Sequence, residues 1–560
     1  MKKTLNNFID ILWLFPEEKS TIKIFTIIFL LIVGSLLEFL NLAFIVPLLS
    51  KMTNQSISEK SFMGNYYNFF KEVSLVQMLI IIVIIVFLKS VIQFFGLYFQ
   101  NKFSHRFEVL ISNYLFEKGL KNDYQNQLKN NTSYSQNEII NYPFNINRFF
   151  ILPMFVIISD LVILSSILIF LFLFNPLVSC LSLIFFGTSI VLYNSIVARK
   201  FIRWGEIKLN SNKNRLKIIQ ESFGAFIDIT LLDKSNFFNK KYEEENQTYA
   251  RVGTFHNSFN QIPKFYFEIL IYSFLLGIVY FLSFYSSEQS LILTLGVFAA
   301  SLMKIIPSFN KLAASYQSIK FSQSSIEILK NEQNLKQSTL VDSTQLDFKN
   351  HIEIQNLSFS YNDGDKKVLD NINFTLKKNT CFGIIGESGR GKTTLVNILL
   401  GLLRQTTGNV LLDGKPIKTD TVAWQRKIGY VPQNIYLLDA PLIQNIAFGI
   451  PENQIDFEKV MDVIDKAQLS SYVKNKRDLY RKVGERGLAI SGGQVQRIGI
   501  ARALYNNPEI LIFDESTSAL DNQTQDQIIK TIEQLKKNKT IIIISHDLSM
   551  INYCDFKFKL

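Results

Sequence analysis

GESGRGKT, residues Gly386–Thr393, decides the architecture of the second half of the chain. It fits the pattern G-x-x-x-x-G-K-[ST], follows the apolar run Cys381–Ile385 and precedes a predicted helix, Thr394–Leu400. A glycine-rich turn between a strand and a helix directs backbone N–H groups and the positive end of the helix dipole at one anion. Lys392 supplies a charge for the β- and γ-phosphates, and the Thr393 hydroxyl is the expected Mg²⁺ ligand. The predicted nucleotide contacts are Gly386, Glu387, Ser388, Gly389, Arg390, Gly391, Lys392, Thr393 and Thr394.

A second stretch, NPEILIFDE at Asn507–Glu515, is an apolar strand that ends in two acids. We expect Asp514 to hold Mg²⁺ through water and Glu515 to polarise the water that attacks the γ-phosphate. A buried strand ending in surface acids would look similar. The phosphate loop in the same chain favours the catalytic interpretation.

Between these stretches lies ISGGQ, Ile490–Gln494. Two glycines at a helix start predict a second anion site, with the Ser491 hydroxyl and backbone N–H groups as donors. The chain thus carries two phosphate-binding loops but one set of Mg²⁺ and base residues. The simplest use of the second loop is to cap the nucleotide of a partner chain, through Ser491, Gly492, Gly493 and Gln494.

The composition of the chain is that of a membrane protein with several domains. Its 560 residues are 48% hydrophobic, and Phe, Ile and Leu crowd the first half. The net charge of +12 comes from basic residues scattered among acids in loops, which argues against nucleic acid as a partner. Cys180, Cys381 and Cys554 are far apart in sequence, so neither a disulfide framework nor a zinc site is indicated. No removable signal peptide is expected.

Six apolar segments are each long enough to cross about 30 Å of hydrocarbon. They are Ile22–Ser50, Leu75–Phe99, Phe150–Phe174, Leu177–Ala198, Phe265–Phe284 and Leu291–Ala314. The links 101–148 and 199–264 are long and basic, whereas Asn175-Pro176 and 286–290 lack Lys and Arg. Both termini and both long links should therefore face the cytoplasm, the links as helices that extend the spans.

Two further segments are predicted to lie on the membrane surface. Met1–Ser20 is amphipathic and suits a surface helix. Lys51–Val73, on the outer side, carries aromatic residues at roughly helical spacing and predicts a short amphipathic helix at the outer leaflet. A disordered loop with aromatic residues is the alternative for the second segment.

Charged residues inside the spans should face the bundle interior or a water-filled cavity, because facing lipid costs several kcal/mol. Glu38 and Lys304 are interpreted as cavity residues, with Lys311 further along the last span. Lys89 is expected to extend its ammonium to the interface, and Asp160 to partner a basic group. Pro307 should bend the last helix.

The sequence predicts a helical membrane domain over 1–330, a linker over 331–350 and an α/β domain over 351–560. The second domain begins with HIEIQNLSFSY at His351, where short strands and turns replace the long apolar segments.

The α/β domain resembles an ATP-binding cassette of the ABC family over its whole length, on the strength of the three stretches above. The resemblance implies that Tyr361 stacks on adenine, that Gln433 contacts Mg²⁺ and the attacking water, and that His546 contacts the γ-phosphate. Ser518–Asp521 matches the D-loop, whose Asp521 acts across a dimer, and Val483–Gly487 is similar to the x-loop of exporters. Ile490 and Arg390 depart from the commonest residues without removing a catalytic group.

Six spans ahead of one cassette resemble an exporter half-transporter that dimerises, with ATP and Mg²⁺ as cofactors, in the cytoplasmic (inner) membrane. Over most of the chain the resemblance is to flippases of lipid-linked oligosaccharides, carried by Glu38, Lys51–Val73 and the last-span pattern Lys304, Pro307, Asn310-Lys311. Lysines stand where those flippases carry arginines, which weakens bidentate binding of a diphosphate. Three alternatives remain: export of another lipid, peptide or drug; a gated channel or regulator in ABC form; and a soluble ATPase of the DNA-repair kind.

Overall fold

The chain divides into two compact units. The computed structural model describes residues 8–10, 20–53, 70, 72–121, 124–125, 132–283, 288–334, 346–361, 366–387, 389–419, 421–484, 490–515, 522–546 and 548–560. A helical unit comprises Met1–Asn122 and Asn130–Gln337, and an α/β unit comprises Asp123–Lys129 and Ser338–Leu560. The division at Gln337/Ser338 falls inside the segment 331–350 that the sequence predicts as a linker.

The helical unit is built from long helices rich in Ile, Leu and Phe. In chain order they are α1 (Ser20–Thr53), α2 (Leu75–Leu120), α3 (Thr132–Ile146), α4 (Leu152–Phe174), α5 (Pro176–Gly224), α6 (Phe226–Leu231), α7 (Ser235–Phe259), α8 (Ile262–Ser283), α9 (Glu288–Phe321) and α10 (Gln323–Asn334). A π-helical turn, Asn147–Ile151, joins α3 to α4. Ser74 begins α2 with a reciprocal capping box to Gln77, which satisfies two N–H groups that a helix start leaves without intrahelical partners.

Among the described residues, five stretches of helix are long and apolar enough to cross a membrane. They are Lys23–Met52, Leu75–Leu120, Glu138–Phe174, Pro176–Gly224 and Ser235–Tyr280. These coincide with the first five predicted spans and continue well beyond the apolar part of several of them, as expected for helices that extend out of the bilayer. The sixth predicted span lies in α9, whose side chains are described from Thr294 onward.

The described helices of this unit pack around several apolar clusters, of which two are large. One is centred on α1, α4, α8 and α9, with Val46, Phe170 and Phe298 almost fully buried. The other includes Phe8, whose ring meets Phe150 and Phe155 edge-on at 6.1 and 5.8 Å. Phe8, in the described part of the predicted surface helix Met1–Ser20, thus lies in the protein core. The rest of Met1–Ser20, apart from Phe8–Asp10 and Ser20, lies outside the described residues, as do 54–69 of the predicted outer helix.

One close approach in the helical unit requires glycine. A Cβ on Gly205 of α5 would lie 2.0 Å from the carbonyl oxygen of Phe321, at the end of α9. Any side chain there would push the two helices apart. Gly205 therefore fixes how closely the extensions of the fourth and sixth predicted spans pack.

The α/β unit contains two sheets. Strands β1 (His351–Phe359), β2 (Leu369–Lys377), β4 (Thr407–Leu412) and β5 (Lys415–Pro416) form an antiparallel sheet in the order β2-β1-β4-β5. Strands β3 (Cys381–Ile385), β6 (Ile428–Val431), β7 (Ile510–Asp514), β8 (Thr540–Ile544) and β9 (Phe556–Lys559) form a parallel sheet in the order β6-β7-β8-β3-β9. Strands β7 and β8 are buried along their whole length, which explains their continuous Ile and Leu content.

The helices in the described part of the α/β unit are α11 (Lys392–Leu399), α12 (Val422–Gln425), α13 (Leu442–Ile446), α14 (Phe457–Lys466), α15 (Gly492–Tyr505), α16 (Asn522–Lys536) and α17 (Leu548–Asn552). Short 3₁₀ turns lie at Glu452–Gln454 and Lys476–Tyr480. The phosphate-loop helix α11 begins two residues before the predicted start at Thr394. The expected fold class, a helical membrane domain with an α/β phosphate-loop domain, is thereby observed.

Candidate functional site

The carboxyl ends of four parallel strands meet at one edge of the β6-β7-β8-β3-β9 sheet, where ligands bind in open α/β sheets. A predicted site residue lies within two residues of the carboxyl end of each strand. Gly386 follows β3, Glu515 follows β7, Gln433 lies two residues after β6, and His546 lies two residues after β8. The sheet order therefore brings together residues that are up to 160 positions apart in sequence.

The phosphate loop has the backbone conformation that its glycines permit. Gly389 and Gly391 have φ of 84° and 94°, in the left-handed region, and Gly391 is the N-cap of α11. A Cβ on Gly391 would lie 2.9 Å from the Leu369 side chain and 3.0 Å from the Val368 carbonyl oxygen. The loop thus presents the N-terminus of α11 as an anion site, in the way the pattern predicts.

Glu515 is the centre of the site. Its Oε1 lies 3.3 Å from Lys392 Nζ and 3.7 Å from His546 Nδ1, and its Oε2 accepts a hydrogen bond of 3.1 Å from Gln433 Nε2. Its φ is 44°, a conformation that costs a non-glycine residue energy and is held here by the backbone bond from Glu515 N to the Ile544 oxygen, 2.8 Å. The structure therefore joins the predicted base, the phosphate-loop lysine, the glutamine and the histidine in one constellation.

Lys392 is buried, and two protein oxygens lie within reach of its ammonium. Besides Glu515 it donates to the Gly386 carbonyl oxygen at 2.6 Å, across the loop. Incoming phosphate oxygens would replace these contacts with stronger charge-assisted bonds.

Asp514 fits the predicted Mg²⁺ role. It is 7% exposed, and its Oδ2 accepts a hydrogen bond of 3.2 Å from the Tyr430 hydroxyl. Burial raises the pKa of Asp514, Glu515 adds to this effect, and the Tyr430 hydrogen bond opposes it. The Thr393 hydroxyl, the Asp514 carboxylate and the Gln433 amide oxygen are the hard oxygen donors that Mg²⁺ prefers, so the residues fit the ion.

Tyr361 lies beside the phosphate-loop helix. Its hydroxyl is 3.1 Å from Thr394 Oγ1, and its ring meets Phe359 edge-on at 5.0 Å. Gln125, from the short segment that belongs to the α/β unit, donates through Nε2 to the Tyr361 carbonyl oxygen at 2.8 Å. The aromatic ring predicted to stack on adenine is thus held at its hydroxyl and at its backbone.

The second anion loop begins helix α15. Ser491 is its N-cap and forms a capping box with Gln494, with Ser491 N to Gln494 Oε1 at 3.0 Å and Gln494 N to Ser491 Oγ at 3.4 Å. Ser491 and Gly492 are exposed, and Gly493 is half-buried. The Ile490 side chain, where leucine is commoner, packs against the buried cluster. Arg390, the other departure, extends to Glu387 at 3.5 Å on the surface.

Several predicted residues lie outside the described part of the chain. They are Ser388 of the phosphate loop, Ser518–Asp521 of the matched D-loop, and 485–487 of the stretch similar to an x-loop.

The charges predicted for the membrane cavity form two groups. Glu38 is buried between Lys89, which contacts its Oε2, and Lys304, whose Nζ lies 3.4 Å from its Oε1. Lys89 is only 8% exposed, so the expectation that it reaches the interface is wrong: its ammonium is buried against the Glu38 carboxylate, which supplies its counter-charge. The Lys304 side chain is 42% exposed. Asp160 interacts with Lys311 and with the Ser308 hydroxyl, as expected for a partner of a basic group.

Sequence reasoning missed two contacts in the α/β unit. One is the Tyr430–Asp514 hydrogen bond; the other is Cys381 Sγ to Cys554 Sγ at 3.0 Å, between two buried free thiols. Both join strands or segments distant in sequence. The Tyr430 contact had a signal, since Tyr430 stands three residues before Gln433, but the pairing of β6 with β7 was needed to find it.

Two family models match the chain. Residues 24–307 match the ABC transporter transmembrane region, and residues 369–518 match the ABC transporter model. The first match alone covers half of the chain.

Curated relatives support the same assignment. The alpha-hemolysin translocation ATP-binding protein HlyB of Escherichia coli O157:H7 is 40% identical over 202 residues, covering 36% of this chain and 28% of that protein. A multidrug resistance ABC transporter ATP-binding and permease protein of Lactococcus lactis is 29% identical over 357 residues, covering 62% of this chain and 59% of that protein. The chain thus matches less than two thirds of the length of either relative.

The fold is that of a solved exporter. A structure of a bacterial Atm1-family ABC exporter with ATP bound superposes with a TM-score of 0.80 at 19% identity, covering 96% of this chain and 93% of that one. At this identity the likeness establishes the fold alone. The chain belongs to the ABC transporter family, with the family's transmembrane region over 24–307 followed by the region that matches the ABC transporter model over 369–518.

Proposed function

We propose that the chain is one half of a dimeric exporter that binds ATP with Mg²⁺ and hydrolyses it to drive transport across the cytoplasmic membrane. The observation that carries the proposal is the meeting of Lys392, Gln433 and His546 at Glu515. A degenerate regulator or channel would be expected to lack the base or the histidine. A soluble ATPase is contradicted by the match of 24–307 to a transporter transmembrane region.

The residues act in a defined order on this proposal. Lys392 exchanges the Gly386 oxygen and Glu515 for the β- and γ-phosphate oxygens, which frees Glu515 Oε1 to accept a hydrogen bond from the attacking water. His546, at the end of β8, contacts the γ-phosphate, and Gln433 keeps Glu515 aligned. When bound, Mg²⁺ neutralises charge on the β- and γ-phosphates.

The second anion loop is the reason for a dimer. The exposed Ser491 and Gly492 at the start of α15 provide donors for the γ-phosphate of a partner chain, so each site needs two chains. ATP then binds the closed arrangement better than the open one, and hydrolysis reverses the preference. Both termini and the cassettes face the cytoplasm on this proposal, in agreement with the basic links 101–148 and 199–264.

The proposed cargo is a polyprenyl-diphosphate-linked oligosaccharide, moved between leaflets of the membrane lipid. The support is the sequence resemblance to the flippase PglK and the partly exposed ammonium of Lys304, a charge suited to a diphosphate. Lys311, on the same helix, is the second candidate contact, and Glu38 holds Lys304 in place.

Export of an apolar drug is the second candidate. The multidrug resistance relative of Lactococcus lactis matches 62% of this chain, which extends beyond the ATP-binding domain. An apolar drug would need no cationic side chain in the cavity.

The test is ATP hydrolysis and glycolipid translocation in proteoliposomes. Glu515→Gln should lower hydrolysis by two orders of magnitude or more, roughly the share of rate that a general base supplies, and should retain ATP binding. Glu533→Gln, on the exposed face of α16, makes the same charge change away from the site and should behave as wild type. An ATPase rate in Glu515→Gln equal to that of wild type would refute the assignment of the base.

The cargo is tested in the same vesicles. Polyprenyl-diphosphate glycans should stimulate wild-type hydrolysis and be translocated, and Lys304→Ala should reduce translocation more than basal hydrolysis. Stimulation by apolar drugs alone, unaffected by Lys304→Ala, would support the second candidate instead.

A further inference from the structure

Tyr430 touches the acid predicted to hold Mg²⁺. It lies on β6, paired in parallel with Ile512 of β7, two residues before Asp514. From this register its hydroxyl reaches the Asp514 Oδ2 at 3.2 Å. The neighbouring residue Glu515 makes its own bonds to Lys392 and Gln433, so the two acids have different partners.

Asp514 depends on this hydroxyl for its orientation. The carboxylate is 7% exposed, and among the described residues the structure gives it one hydrogen-bond donor, the Tyr430 phenol. The Lys392 ammonium contacts the Gly386 oxygen and Glu515. A carboxylate held through one oxygen cannot rotate freely about its terminal bond, and its other oxygen faces a fixed direction.

Strand β6 and the loop that follows it therefore hold both acids. Tyr430 binds Asp514 and, three residues later, Gln433 binds Glu515 at 3.1 Å. The Tyr430 ring is half-buried in the sheet, which fixes the hydroxyl without a flexible chain. Any ligand at Asp514 meets an oxygen whose position is set before it arrives.

We propose that Tyr430 is a positioning residue for the metal: by binding Oδ2 it leaves Oδ1 of Asp514 directed at Mg²⁺. The proposal rests on the proposed function, because it needs Asp514 as the Mg²⁺ acid. It assigns Tyr430 no contact with ATP. Loss of the hydroxyl should therefore weaken the binding of the metal without weakening the binding of the nucleotide.

The experiment uses the full-length protein in detergent with Mn²⁺ as the probe for the metal. Electron paramagnetic resonance measures free Mn²⁺ during titration of protein saturated with ATP, and a fluorescent ATP analogue in EDTA measures metal-free nucleotide binding. Tyr430→Phe removes only the oxygen. Tyr505→Phe is the matched control: Tyr505 also belongs to the α/β unit, where it is buried, and within the described part of the chain its hydroxyl accepts one hydrogen bond, from Asp456 N at 3.3 Å.

Tyr430→Phe should weaken Mn²⁺ binding roughly three- to tenfold, the loss of one net hydrogen bond, and leave metal-free ATP binding unchanged. The Mg²⁺ concentration for half-maximal hydrolysis should rise by a similar factor, with kcat at saturating Mg²⁺ changed less than about twofold. In Asp514→Asn, adding Tyr430→Phe should cause no further loss of Mn²⁺ binding.

Two kinds of result would overturn the proposal. One is Mn²⁺ binding in Tyr430→Phe equal to wild type. The other is an equal loss in Tyr505→Phe, or of metal-free ATP binding in Tyr430→Phe, which would indicate a general structural effect. The proposed function would fail if wild-type protein bound Mn²⁺ and ATP but did not hydrolyse the ATP. In that case the comparison of Mn²⁺ binding between wild type and Tyr430→Phe would still decide the role of Tyr430.

Discussion

Three charged side chains, Glu38, Lys89 and Lys304, lie together inside the helical unit. Glu38 is nearly inaccessible and pairs with two lysines, of which Lys89 is buried and Lys304 is partly exposed. Burying an isolated charge is far more costly than burying a pair, so Glu38 is what allows Lys89 to lie in the core. Lys304 can turn to solvent when its partner is lost.

We expect Glu38→Gln to destabilise the protein by about 3 kcal/mol, because it leaves the Lys89 ammonium buried without a counter-charge. Lys304→Gln, at the exposed end of the group, should cost at most about 1 kcal/mol. Thermal unfolding of the detergent-purified variants provides the comparison. A combined Glu38→Met and Lys89→Met variant should recover much of the loss. Equal unfolding midpoints for Glu38→Gln and Lys304→Gln would show that the buried Glu38–Lys89 pair does not determine the loss of stability.

At the scale of the element, a two-residue turn organises the entry into the α/β unit. Asp413 and Gly414 join β4 to β5 with φ of 49° and 79°, the conformation that Asp-Gly favours in tight hairpins. The Asp413 carboxylate accepts three backbone bonds of 2.7 to 2.8 Å, from the N–H groups of Lys349, Asn350 and His351. The turn therefore fixes the start of β1.

The pKa of Asp413 is below its usual value: burial would raise it, but the three N–H donors outweigh burial. A lowered folded pKa means stability that is complete above the unfolded value of 3.8 and is lost as the pH falls through the folded pKa. In Asp413→Asn the asparagine can adopt the same left-handed backbone conformation, but the negative charge is removed. Hydrogen exchange at Lys349–His351 should be faster in this variant at pH 7, by up to about tenfold per lost net bond.

In wild-type protein the protection of these three amides should stay constant from pH 7 to pH 5, after correction for intrinsic exchange, since the carboxylate remains ionised. Exchange in α15, remote in sequence, is the internal control and should not change. Unchanged exchange at 349–351 in Asp413→Asn would show that the bonds do not hold β1.

At the scale of the molecule, the features that could be predicted are those that depend on residues close together in sequence. Each of the informative patterns is complete within a short stretch of sequence. They are the glycine spacing in Gly386–Thr393, the two acids at the end of β7 and the long apolar segments. The family and fold followed from them. Lys89, Tyr430 and the Cys381–Cys554 contact could not be found this way, because each depends on which strands or helices become neighbours, and one sequence does not fix that register.

The last prediction concerns the sharing of each ATP site between two chains. Suppose that each ATP site consists of the phosphate loop of one chain and Ser491 of its partner. Two inactivating substitutions, placed on the same chain or on different chains of a dimer with two tags, then give different ATPase activities. A mixed dimer of Lys392→Ala with Ser491→Glu keeps one intact site, because both lesions fall in the same composite site. Wild type paired with the Lys392→Ala, Ser491→Glu double variant damages both sites, although it carries the same two lesions. ATP hydrolysis by tandem-purified mixed dimers should persist in the first and be lost in the second. Sites formed within a single chain would give the opposite order of activities.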